Sequence, residues 1–103
     1  MNEEAGSILN LRRKLTSDEI ENLKFSRGRA VNKEYSALEH HNYLEANISN
    51  TFAQILTMRI FNETREPKER EAYRIISERG LGYTDMLNLI DCELDPLNTI
   101  STG

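Results

Sequence analysis

The feature that most constrains the fold is a stretch without glycine or proline that runs from residue 33 to about residue 65. Its apolar residues recur at the spacing of one face of an α-helix, which predicts a long helix. From residue 52 to residue 61, seven of ten residues are apolar, so we expect this half to be buried on more than one side. The apolar residues of the predicted face are Leu44, Ile48, Phe52 and Ile55.

An unbroken helix over this stretch would be about 45 Å long, since each residue adds about 1.5 Å. A compact domain of this size has a radius of gyration of about 13 Å. The helix therefore either projects and meets a partner or breaks within the domain. The residues from Asn47 to Thr51 include weak helix formers and offer a break point. The sequence leaves both possibilities open.

Helix-boundary signals flank this stretch on its N-terminal side. Thr16 and Glu19 have the spacing of a capping box, and Leu15 and Ile20 are placed for a hydrophobic staple. Gly28 is predicted to end the helix that starts there. A shorter helix is predicted from Ser7 to Leu15.

On the C-terminal side, Pro67 suits the first turn of a helix, and Gly80 is predicted to end it. Thr84 is predicted to cap a last helix that Pro96 ends. These signals predict an all-α fold, a small bundle of four to five helices with one long central helix. We expect residues 1–103 to form one domain with flexible ends at 1–6 and 97–103. The expected core residues are Phe52, Ile55, Leu56, Ile76 and Ile90.

Composition and charge narrow the function classes. The net charge of −4 lacks the strongly basic balance of nucleic-acid-binding proteins. The single cysteine, Cys92, cannot form an internal disulfide. The acidic start of the chain has no apolar signal core, and no apolar run is long enough to span a membrane. We therefore expect a cytoplasmic protein.

Local motifs for chemistry are weak. His41 and Glu45 are one helical turn apart next to His40, but a metal site needs three or four ligands and no second group supplies them. We therefore expect no metal and no cofactor, with His40 solvated and His41 at the edge of the apolar face. Gly80 and Gly82 lack the third glycine and the preceding strand of a dinucleotide site.

A helix-turn-helix at residues 72–91 is the most specific nucleic-acid motif in outline. Its second helix, Thr84 to Glu93, contains Asp85, Asp91 and Glu93 and no lysine or arginine. Phosphate neutralisation by cations supplies most of the binding energy for DNA. The acidic helix therefore favours a simple helical hairpin.

The N-terminal third carries a cluster of basic residues that could bind an anionic partner. The simpler interpretation, which we favour, is a solvated face with helix C-terminal charges. The candidate partner-binding residues are Arg12, Arg13, Lys14, Arg27, Arg29 and Lys33.

These observations predict a non-enzymatic helical regulator, inhibitor or adaptor that binds another protein. We also expect a homodimer, because an apolar face on residues 36–62 would need a partner to cover it. The interface residues would be Leu44, Ile48, Phe52 and Ile55. The alternative is a nucleic-acid-binding regulator that uses the basic N-terminal third.

Overall fold

A computed structural model describes residues 14–94, with side chains as far as Asp91. Within this range the regular structure is three α-helices without a strand: α1 (Ser17–Glu39), α2 (Tyr43–Thr64) and α3 (Pro67–Leu94). The all-α prediction is confirmed, whereas a bundle of four to five helices is not. The predicted helix from Ser7 lies mostly outside the described residues, and Pro96 lies outside them as well.

The N-terminus of α1 forms as its sequence predicts. The Glu19 amide donates to Thr16 Oγ1 at 3.2 Å, and the Thr16 amide donates to Glu19 Oε1 at 2.9 Å. This reciprocal pair satisfies two amides that a helix start otherwise leaves free. Ile20 packs against a buried cluster that includes Leu15 and Leu23.

The predicted stops at Gly28 and Gly80 are wrong, because α1 and α3 continue through both glycines. Neither glycine has the positive φ of a left-handed helix stop. A glycine inside a helix costs about 1 kcal/mol relative to alanine. Buried residues on both sides of each glycine, such as Ile76 and Tyr83 around Gly80, compensate for that cost by packing.

The long glycine-free stretch does break, but at residues 40–42 and not at Asn47–Asn50. His41 adopts a left-handed φ of 56°, and the Asn42 side chain caps α2 by accepting from the Glu45 amide at 3.1 Å. Asn47 and Thr51 lie inside α2, where the Thr51 hydroxyl donates to the Asn47 carbonyl at 2.9 Å. Residues 36–62, for which the sequence left one helix or two open, are therefore divided between α1 and α2.

Helix α2 lies between the other two and packs against both. Small residues on its inner side, Ala46 and Ala53, are fully buried and let the neighbouring helices approach closely. The Cα radius of gyration is 17.1 Å, well above the value of about 13 Å for a compact 100-residue chain. The helices thus form an elongated layer with a thin core.

The predicted core is confirmed in part. Leu56 and Ile76 are buried, and Ile90 is half-buried. Phe52 and Ile55 are 47 % and 45 % exposed, so their assignment to the core was wrong. None of the helices in the part of the chain that the structure describes is apolar and long enough to cross a membrane.

Candidate functional site

The outer side of α2 carries a continuous apolar surface, which we call the α2 face. Its five residues follow helical spacing and each is between 45 % and 62 % exposed. They lie opposite the buried Ala46 and Ala53 on the same helix, so neither α1 nor α3 covers them. The residues of the α2 face are Leu44, Ile48, Phe52, Ile55 and Met58.

A groove of about 610 Å³ between α1 and α2 borders this face. Its apolar lining comes from Ala30, Ile48 and Phe52, so the groove and the α2 face share two residues. Arg29 and Lys33 of α1 and Glu45 of α2 line it as well. We call this feature the α1–α2 groove; it combines an apolar lining with cations from α1.

A buried polar cluster joins the three helices beneath this surface. The Glu34 side chain is fully buried, and both of its carboxylate oxygens accept hydrogen bonds from Arg79, at 2.8 and 3.1 Å. The Asn50 amide also donates to Glu34 at 2.9 Å and to the Ile76 carbonyl at 2.8 Å. Glu34, Asn50 and Arg79 belong to α1, α2 and α3 respectively, so the cluster fixes the register of all three helices.

The environment of this cluster keeps Glu34 ionised. Burial raises its pKa, but the hydrogen bonds from Arg79 and Asn50 outweigh burial and hold the pKa below its ordinary value. Burial together with the neighbouring Glu34 carboxylate raises the pKa of Tyr83 to about 12. Because hydrogen bonds within the cluster engage both Glu34 oxygens, the carboxylate is arranged as a structural anion.

A second buried ion pair links α1 to α3. Arg27 donates to both carboxylate oxygens of Glu69, whose side chain is only 4 % exposed. Arg27 is therefore engaged inside the protein, which removes one cation from the predicted basic cluster. Together with Glu34 and Arg79, this pair connects two helices whose backbones do not contact each other.

The other described residues of the predicted basic cluster lie in two places, with Arg29 and Lys33 lining the α1–α2 groove and Lys14 before α1. Arg29 is exposed, with its guanidinium 6.0 Å from the centre of the Phe25 ring. Lys33 pairs with Glu45 at 3.1 Å, and Lys14 is exposed before α1 begins. Arg12 and Arg13 lie outside the described residues.

Residues 72–91 lie within one continuous helix, α3, so the favoured helical hairpin with Thr84 as its second cap is wrong, and the helix-turn-helix does not form either. The histidines take separate positions at the turn between α1 and α2. His40 Nδ1 lies 2.8 Å from the Ser36 carbonyl oxygen, and His41 Nδ1 lies 3.2 Å from the Tyr43 hydroxyl. Among the side chains that the structure describes, residues 14–91, no group of three or more potential metal ligands comes together.

The buried polar cluster was not predicted from the sequence, although a signal for it exists. Glu34 follows Ala30 by four residues and precedes Ala37 by three, which is the spacing of a buried helix face. Asn50 has the same relation to Ala46 and Ala53. A polar residue set within a buried row of alanines indicates a polar contact between helices.

Comparisons with protein-family models, with curated proteins and with solved structures each gave no significant match to this chain. Function is therefore inferred from the surfaces described above.

Proposed function

We propose that this protein is a non-enzymatic helical binding protein that uses the α2 face to associate with protein surfaces, first of all with a second copy of itself. The supporting observation is the continuous exposure of five large apolar side chains on one helix. The role is that of a regulator, inhibitor or adaptor, since binding is the chemistry that this surface supports.

The size of the α2 face supports an interface. At their exposed fractions its five residues present roughly 500 Å² of surface, at the upper end of the apolar patches on monomeric proteins. Such patches are often functional. A stable interface buries about 800 Å² on each partner, so a dimer interface has to extend past the α2 face, and the α1–α2 groove is the surface next to it. In a two-fold dimer the α2 face of each copy covers the α2 face of the other, so one interface buries both apolar surfaces.

Sedimentation equilibrium of the full chain at tens of micromolar tests the proposal. We expect a mass twice the chain mass of 11.9 kDa. Ile55→Glu places a carboxylate in the centre of the α2 face. Because an uncompensated buried charge costs several kcal/mol, this variant should raise the dimer dissociation constant by about 100-fold or more.

The matched control is Leu81→Glu, which makes the same kind of change at a residue of α3 that is 69 % exposed and outside the α2 face. It should leave the dissociation constant unchanged, and far-ultraviolet circular dichroism should show native helicity for both variants. A wild-type mass equal to that of one chain, 11.9 kDa, at tens of micromolar would rule out a tight dimer. Equal weakening by both variants would show that the α2 face has no special role.

A further inference from the structure

The C-terminal part of α3 extends past the other two helices. Tyr83 packs with Ala37 and Ala46, which lie close to the end of α1 and the start of α2. Residues 84–94 continue α3 beyond that level, and because α2 begins at Tyr43, three residues before Ala46, the later part of this segment extends past the start of α2. At about 1.5 Å per residue this segment, which we call the α3 arm, is about 16 Å long.

The α3 arm is both apolar and acidic. Leu89 is 67 % exposed and Met86 is 43 % exposed. Large apolar side chains that are exposed together often mark an interface. Asp85 and Asp91 are exposed on the same segment. The arm sequence also contains Glu93 and has no lysine or arginine.

The α1–α2 groove has the complementary chemistry. Ile48 and Phe52 supply apolar surface, and the two positive charges of Arg29 and Lys33 outweigh the one negative charge of Glu45, which also lines the groove, in a chain whose net charge is −4. Lys33 forms a salt bridge with Glu45 at 3.1 Å. The Arg29 guanidinium lies 6.0 Å from the centre of the Phe25 ring, and Arg29 is exposed to solvent. An apolar and acidic helix is therefore the occupant that matches this groove in both respects.

We propose that the α3 arm of one copy docks in the α1–α2 groove of a second copy, and that the second copy's arm docks in the groove of the first. The inference rests on the homodimer of the proposed function, and it specifies which segment of the second copy occupies the α1–α2 groove. Because each copy places its arm in the groove of the other, the arrangement has two-fold symmetry and is closed at two copies.

The geometry favours exchange between copies. Within one copy the arm runs away from its own groove, because α3 continues past the start of α2. When two copies meet end to end, an arm of about 16 Å can follow the partner's α2 from residue 43 to residue 52, a distance of about 14 Å. Pairing of the α2 faces alone would bury roughly 500 Å² per copy, short of the usual value of about 800 Å², and would leave Leu89 and Met86 exposed.

A charge-swap experiment tests this arrangement with the full chain. The groove variant carries Arg29→Glu and Lys33→Glu, and the arm variant carries Asp85→Lys and Asp91→Lys. In either variant alone, groove and arm have the same sign of charge, so each homodimer should weaken by about tenfold or more at low salt. In an equimolar mixture, both contacts of the mixed dimer join opposite charges. The mixture should therefore recover a mass twice that of the 11.9 kDa chain by sedimentation equilibrium.

The control for net charge is Glu21→Lys with Glu71→Lys, which makes the same change in charge at exposed residues of α1 and α3 outside the arm. It should dimerise like the wild type and should not pair preferentially with the groove variant. Circular dichroism of each variant establishes that the helices are intact.

The outcomes separate the two proposals. An arm variant that dimerises like the wild type, or a mixture that gains nothing over its components, overturns the arm exchange. If Ile55→Glu still dissociates the dimer in that case, the α2 face remains the interface and the proposed function stands. A wild-type monomer at all concentrations overturns both.

Discussion

Gly80→Ala and Gly28→Ala should change stability in opposite directions, although both replace a glycine inside a helix by alanine. At a position with free space, this replacement stabilises a helix by about 0.4–1 kcal/mol, because it reduces the freedom of the unfolded chain. A Cβ at Gly28 would have nothing within 4 Å. Gly28→Ala should therefore stabilise the protein by about that amount.

At Gly80 the added methyl group would collide with Asn50. A Cβ built there lies well inside contact distance of Asn50 Oδ1 and 3.1 Å from Gln54 Nε2. Asn50 cannot move freely, because its amide donates to the buried Glu34 carboxylate and to the Ile76 carbonyl. Overpacking of this kind costs about 1–3 kcal/mol, and loss of the bond to an ionised group costs about 1.5–3 kcal/mol.

After a gain in helix propensity of about 1 kcal/mol is subtracted from these two costs together, Gly80→Ala should destabilise the protein by about 1.5–5 kcal/mol. Urea unfolding followed by circular dichroism, at one fixed protein concentration for all variants, measures both effects. Gly82→Ala is a second control, since a Cβ there also meets nothing within 4 Å. Stabilisation by Gly80→Ala equal to that of Gly28→Ala would refute the reasoning, because it would show that α3 or Asn50 shifts at no cost.

Two further predictions concern the core and the buried polar cluster. Leu56→Ala should cost about 2–5 kcal/mol in the same urea experiment, whereas Leu81→Ala should stay within about 0.5 kcal/mol; similar losses would mean that the buried side of α2 is assigned wrongly. Glu34→Gln should cost about 2 kcal/mol at pH 7, because Arg79 and Asn50 lose an ionised acceptor. Since the folded pKa of Glu34 is depressed below 4.5, its stabilisation is complete above that pH and is lost as the pH falls through the folded pKa. Unfolding free energies measured from pH 7 to pH 2 should therefore fall less steeply for Glu34→Gln than for the wild type, and parallel curves would contradict the assigned role.

Local signals in the sequence determined the helical class and several helix starts. The capping box of Thr16 and Glu19 and the first-turn Pro67 act within a few residues, so their effect does not depend on the rest of the fold. The turn at 40–42 was also encoded locally, because Asn42 caps the helix and Glu45 follows it by three residues. The weak helix formers at Asn47 and Asn50 favoured a different break point, but packing and hydrogen bonds hold both residues inside α2.

The tertiary structure decided what the local signals could not. Gly28 and Gly80 have the sequence character of helix stops, but packing on either side stabilises the helix by more than the glycine costs. Gly80 does not end a helix as the sequence indicated. Its missing side chain lets α3 approach the Asn50 amide. Periodicity correctly placed Phe52 and Ile55 on one apolar face, but it could not tell whether that face meets α1, α3 or solvent. A side of α2 is buried only if another helix packs against it. Which sides are covered is decided only when the three helices assemble.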